Sequence, residues 1–177
     1  MRVLHIITGL ETGGAEALLY RLVTYLQDAR VAHAVCSLKG EGTYGQRFME
    51  MNIPVYALSG RVSRLMLDVP AVARRVNPDL IQGWMYHGNI AAALCRLSNS
   101  SNAPQLWSVH QTISSFTNEK FGTTLAIRAG GTLSHLPRRI IYNSIVSARQ
   151  HEALGYRADK TMMIPSGFDT EVFRPDP

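Results

Sequence analysis

Three groups of residues in this chain have the types and spacing for chemistry. The first lies in "GLETGGAE", where Gly13, Gly14 and Glu16 stand between a short apolar run and leucines at helical spacing. A strand, a glycine turn and a helix N-terminus gather free backbone N–H groups around a small volume, with the positive end of the helix dipole aimed into it. An anion is the natural occupant, although the same glycines suit a plain tight turn with Glu16 complementing the dipole. The second is His110, which ends a strand in "WSVH" at the place where ligands sit in open parallel sheets; a strand-end histidine satisfied by a backbone partner is the bland alternative. The third is Trp84, Tyr86, His87 and Asn89, which together offer aromatic faces for stacking and polar groups for hydroxyls. The competing roles are packing for Trp84 and Tyr86 and a helix cap for Asn89.

The glycine loop fails two familiar phosphate patterns. Gly9 and Gly14 have the spacing of a P-loop's outer glycines, but Ala15 and Glu16 follow where a lysine and a hydroxyl are required. A dinucleotide fingerprint needs G-x-G-x-x-G, and the second strand ends in Leu38 and Lys39 where a ribose-binding acid belongs. NAD is therefore disfavoured, with Lys39 left as a partner for a 2′-phosphate. There is no Asp-x-Asp and no His/Asp cluster at ligand spacing, so no metal is expected.

The elements that must position these groups alternate strand and helix from end to end, the pattern of a parallel sheet with helices on its faces. Strands are expected at Val3 to Thr8, "VAHAVCSL", "PVYAL", "DLIQGWMYH", "PQLWSVH", "RIIYNS" and "KTMMIPSG". The first helix carries Leu18, Leu19, Leu22, Val23 and Leu26 as its buried stripe, and "GQRFMEMN" forms a short second one. Asp68 is expected to cap a third helix with Pro70 in its first turn and Asn77-Pro78 as its stop; "GNIAAALCRL" supplies a fourth. The stretch from Gln111 to Pro137 reads as a mobile loop and then a helix, and Ser147 with Gln150 has capping-box spacing at the head of "ARQHEALG". Asn143 and Ser144 suit a helix start, and Met85, Met162 and Met163 suit the core. The fold class is thus α/β, a Rossmann-like doubly wound parallel sheet of about seven strands.

A length of 177 residues with 46% hydrophobic content supports one domain with a core of its own. No segment approaches the roughly 18 unbroken apolar residues of a membrane span, and no signal-type block opens the chain, so a cytoplasmic location is expected. Cys36 and Cys95 read as buried free thiols. The net charge of +5 comes from fifteen arginines and three lysines, which favours phosphates, anionic lipid or an acidic substrate as partners. The charges are scattered rather than interleaved with aromatics, which argues against nucleic acid. Arg61 and Arg64 suit a solvated face, or contact with an anionic acceptor or lipid headgroups.

Two stretches carry a family resemblance. "GLETGGAE" and the closing "IPSGFDTEVFRP", with "PDLIQGWMYHGNIAAALC", "PQLWSVHQT" and "RIIYNSIVSARQHEALGY" in order between them, resemble the N-terminal domain of GT-B glycosyltransferases, in the retaining group called family 4 or group 1. The closing motif departs by Ser166 where asparagine is usual and Phe168 where valine is common, and keeps Gly167, Asp169, Phe173 and Pro175. The resemblance implies a two-domain enzyme that moves a sugar from a nucleotide-diphosphate sugar to a saccharide or lipid-linked acceptor, without a further cofactor. Residues 1–177 would be the acceptor-binding half. The second half, with its paired glutamates at E-x₇-E spacing, would be a separate C-terminal domain that binds the donor, so this half alone is expected to be inactive.

By the same resemblance, Gly13 and Gly14, with Glu16 just behind them, face the donor phosphate or sugar, and His110 lies at the reaction centre. Trp84, Tyr86, His87 and Asn89, clustered at the end of the fourth strand, are then the candidate acceptor contacts, and Asn143 and Ser144 at the end of the sixth are candidates of the same kind beside their role as a helix start. Peripheral contact with the inner face of a membrane is compatible with a lipid-linked acceptor. The alternative from another class is a stand-alone Rossmann-like module that binds a phosphorylated ligand without chemistry.

Overall fold

The computed structural model describes residues 1–27, 30–113 and 120–167. Seven parallel strands form one sheet: β1 (Arg2–Ile7), β2 (Ala32–Ser37), β3 (Val55–Ala57), β4 (Leu80–Trp84), β5 (Gln105–Val109), β6 (Arg139–Tyr142) and β7 (Thr161–Met163). Their order across the sheet is β3-β2-β1-β4-β5-β6-β7, so the chain works outward to β3 and then returns past β1. The helices are α1 (Gly14–Tyr25), α2 (Gly42–Glu50), α3 (Val62–Val76), α4 (Met85–Leu97), α5 (Phe121–Leu133) and α6 (Ile145–Ala153). Because every strand runs the same way, every strand's C-terminal end emerges at one edge of the sheet.

The two faces are covered unequally. Leu4, Ile6, Ile81, Trp107, Ile140 and Tyr142 point to the side of α3, α4, α5 and α6, where the larger core forms. Ile7, Val35 and Trp84 point to the side of α1 and α2 with Leu19, Val23 and Phe48. Among the described residues, part of that second face stays open as an apolar groove of about 410 Å³, between Leu18 and Leu22 on α1, with Leu26 just after it, and Leu106 and Ile141 on the sheet. A parallel sheet ordinarily has both faces covered.

Several boundaries differ from the sequence reading. Asp68 is no cap: α3 already starts at Val62, and Pro70 lies inside it. Pro70 removes one helical hydrogen bond at a cost of about 3 kcal/mol, and burial of Val69, Pro70, Val72, Ala73 and Val76 against the core offsets that loss. Asn77 ends the helix as expected, in a left-handed conformation at φ 46°. β4 stops at Trp84, so Tyr86, His87 and Asn89 belong to α4 rather than to a strand end or a cap. Ser144, and not Ser147, caps α6, its hydroxyl accepting from the Ser147 N–H at 3.1 Å. Met162 and Met163 are partly exposed, because β7 is the last strand and has a neighbour on one side only. Cys36 and Cys95 are buried free thiols, and burial pushes the Cys36 thiol up to about 12. Among the described residues no helix is long and apolar enough to cross a membrane.

Candidate functional site

The C-terminal edge of the sheet carries a cleft of about 520 Å³ between the start of α1, Met85, His110, Gln111, Asn143 and Ser166. Gly14, Ala15, Glu16, Ala17 and Arg21 form the α1 wall. Gly13 is the N-cap and contributes no side chain to capping, and the first turn that follows it lines the cleft. The Ala17 N–H already bonds the Gly13 carbonyl at 3.0 Å. Glu16 folds back over this turn: a Cβ placed on Gly13 would collide with its carboxylate. The carboxylate suits the helix dipole, and it would repel an anion brought to the same turn.

His110 forms the opposite wall, one residue beyond the end of β5. Both of its ring nitrogens are shielded from solvent and lack a hydrogen-bond partner among the described residues. Burial holds its pKa below the ordinary histidine value, so at neutral pH the ring is an uncharged imidazole with one donor and one acceptor free. Its position is set from behind. The Ser147 hydroxyl donates to the Gln111 carbonyl at 2.7 Å, and the Ile113 N–H donates to Gln150 Oε1 at 2.9 Å. Ser147 and Gln150, spaced like a capping box, thus tie down the segment that follows His110.

A sharp turn forms the floor. β4 passes into α4 without a connecting loop, and Met85 takes the turn at φ 60°, a left-handed conformation uncommon for a residue with a side chain. Glycines on either side allow the close return. A Cβ on Gly83 would stand 2.7 Å from the Asn89 Cα, and one on Gly88 would overlap the Ile6 carbonyl. Met85 is half-buried, with one side on the core and the other in the cleft, so it is more than the core residue its type suggests.

The group expected to meet an acceptor separates in space. Tyr86 is buried, with its hydroxyl 3.0 Å from His151 Nε2 and its ring stacked on that imidazole. Asn89 is buried too, its amide donating to the Ser108 carbonyl at 3.4 Å. These two pack α4 in place and do not face the cleft. Trp84 is 2% exposed and lies beneath His110, their ring centroids 5.6 Å apart and planes 23° apart. His87 sits half-buried at the head of α4, its pKa lowered by burial and by the nearby Lys39 ammonium, outside the cleft that holds His110. Arg21, Gln111 and Ser166 also line the cleft without a chemical signal in the sequence, Arg21 having only its helical place one turn after Ala17, and Asn143 lines it from the end of β6, where the sequence offers it as an acceptor contact or a helix start. Asp169, Phe173 and Pro175 lie outside the described residues. Among the described residues, no three His, Cys, Asp or Glu side chains gather as a metal site.

A Rossmann-like sheet whose open cleft pairs a helix N-terminus with a strand-end histidine has the fold of one half of a GT-B protein. The model of Glycosyltransferase Family 4 matches residues 12–172, and the chain belongs to that family. A crystal structure of Anabaena Alr3699/HepE in complex with UDP is similar, at TM-score 0.78 and 22% identity, over 100% of this chain and 47% of that one. Acinetobacter baumannii MurG is similar at TM-score 0.61 and 16% identity, over 98% and 47% of the two chains. So is the UDP-N-acetylglucosamine 2-epimerase from Rickettsia bellii, at TM-score 0.64 and 14% identity, over 94% and 45%. The fold therefore serves more than one chemistry, and the family match is what separates them. The chain spans about half the length of these relatives. A comparison with curated proteins finds no sequence match.

Proposed function

We propose that this chain is the acceptor-side half of a retaining glycosyltransferase that takes its sugar from a nucleotide-diphosphate donor. One observation carries the reading: the N-terminus of α1, which has no side-chain cap, and the ring of His110, whose nitrogens have no partner among the described residues, line a single cleft in a member of Glycosyltransferase Family 4. When the bond between the sugar's C1 and the diphosphate breaks, the electron pair goes to the leaving phosphate oxygen and positive charge builds on the sugar. The N–H groups of the first turn of α1 stabilise the phosphate charge, and being fixed in the fold they cost no reorganisation at that moment. His110 holds a hydroxyl of the donor sugar with its neutral ring. The acceptor is a saccharide or a lipid-linked saccharide that enters along the same edge, where His87 is the half-buried polar group within reach. The remaining donor contacts come from a second domain, so this half alone does not turn over.

The test is to incubate the full-length protein with a panel of nucleotide sugars and candidate acceptors, and to read the anomeric configuration of the product by NMR. Transfer with the donor's configuration kept is the expected result. An inverted product would overturn the retaining assignment. Saturable nucleotide binding without turnover would favour a binding module.

A further inference from the structure

The four rings His33, His5, Trp84 and His110 stand on four adjacent strands or their ends, in the order β2, β1, β4, β5. Their register makes them a diagonal. His33 pairs with Val3, two residues before His5; His5 pairs with Gln82, two before Trp84; Trp84 pairs with Ser108, two before His110. A step of two keeps every ring on one face and within reach of the next. The contacts follow: His33 stacks on His5 at 5.3 Å and 20°, His5 tilts against Trp84 at 6.1 Å and 55°, and Trp84 stacks on His110.

The hydrogen bonds along this diagonal have a fixed direction. An indole N–H can only donate, so Trp84 Nε1 donates to His5 Nδ1 at 3.2 Å. Burial lowers the His5 pKa to about 3, so the ring is neutral and its one proton is on Nε2. That proton bridges to His33 Nδ1 at 3.1 Å, which leaves the proton of a neutral His33 on Nε2. Turning Trp84 would therefore break the bond that sets the tautomers of both histidines.

We propose that Trp84 is a positioning residue for His110, fixing the plane of its imidazole at the cleft, and that His5 and His33 hold Trp84 in turn. His110 needs such support, since its nitrogens bond nothing described and its orientation rests on the stack and on the ties at Gln111 and Ile113. The proposal rests on His110 acting in glycosyl transfer, and its test separates the two.

The full-length protein, labelled with ¹⁵N-histidine, is examined by NMR alongside kinetics for Trp84→Leu, Trp84→Phe and His5→Phe. In the unsubstituted protein His5 and His33 both show the Nε2–H tautomer. Trp84→Leu moves the His110 ring signals and lowers kcat by about tenfold or more, with the donor KM changed by less than about threefold, within the roughly hundredfold that a 1 Å misplacement costs. Trp84→Phe keeps a ring for the stack and recovers most of that loss. His5→Phe leaves Trp84 in place without its acceptor and moves His110 in the same direction by less, so it decides the matter should Trp84→Leu not fold. An Nδ1–H tautomer at His5, or His110 signals indifferent to Trp84→Leu and His5→Phe, overturns the proposal. A protein that transfers no sugar defeats the proposed function, while the ring signals still judge whether the diagonal positions His110.

Discussion

The hydroxyl of Ser147 donates to the carbonyl of Gln111 at 2.7 Å, and this bond fastens the residue after His110 to α6. Ser147→Ala is expected to cost about 1 kcal/mol of stability, the usual net worth of one hydrogen bond. Ser147→Ala combined with Gln150→Ala, which also frees the Ile113 N–H, should lower kcat several-fold, because His110 then loses both ties behind it. Urea midpoints and initial rates check this, and an unchanged rate in the double variant would show that the ties do not set His110.

Gly88, beneath the β4–α4 turn, and Gly14, in the cleft wall, should respond differently to substitution. A Cβ on Gly88 overlaps the Ile6 carbonyl, and backbone cannot yield as a side chain does, so Gly88→Ala should destabilise by about 1–3 kcal/mol. A Cβ on Gly14 meets nothing within 4 Å, so Gly14→Ala should leave the denaturation midpoint almost unmoved. Any loss of nucleotide affinity in Gly14→Ala would then report on the cleft rather than on folding.

Stability should fall with acid in a definite window. The folded pKa of His5 is lowered from 6.5 to about 3. Above 6.5 the ring is neutral in both folded and unfolded chains and nothing is lost. As pH falls from about 6.5 towards 3, only the unfolded chain takes up the proton, and stability drops by up to about 1.4 kcal/mol per pH unit. His33, His110 and His151, whose pKa values are also lowered by burial, add in the same direction. Thermal melts of the protein and of His5→Phe between pH 7.5 and 4 should diverge, with the variant less acid-sensitive. Parallel curves would show that His5 is not held neutral by burial.

Glu16 should weaken phosphate binding. Its carboxylate lies over the N-terminus of α1, so Glu16→Gln removes a like charge and should tighten pyrophosphate or UDP binding by a few-fold, the size of one charge at a helix end. Calorimetry on the full-length protein measures it. Weaker binding in Glu16→Gln would mean that the carboxylate accepts a hydrogen bond from the ligand.

The sheet was legible in the sequence because period-two and period-3.6 patterns record which face is buried: all seven strands begin within a residue of where those patterns put them, although β4 stops at Trp84 and β7 at Met163, short of the expected ends. What the sequence concealed was three-dimensional partnership. Ser147 and Gln150 have the spacing of a capping box, and spacing cannot say that their partners are Gln111 and Ile113. Trp84 looked like a stacking surface because aromatics at strand ends often are one, whereas the register two residues along from His5 buries it under His110. Asp68 and Pro70 gave strong local signals for a helix start, and tertiary burial of the stripe around Pro70 overrode them. Gly13, Gly14 and His110 could be placed at the C-terminal edge of the sheet from the sequence because a strand's C-terminal end and the following helix N-terminus are fixed by topology alone.

The central claim is that His110 and the first turn of α1 act together on a nucleotide-diphosphate sugar. Single-turnover transfer by the full-length protein with His110→Ala, compared with UDP affinity in the same variant, tests it most directly. The expected result is a fall in transfer rate of about 10²-fold or more with UDP affinity changed by less than about threefold, the pattern of a group that acts on the reacting sugar rather than on the nucleotide. Transfer by His110→Ala at the unsubstituted rate would contradict it.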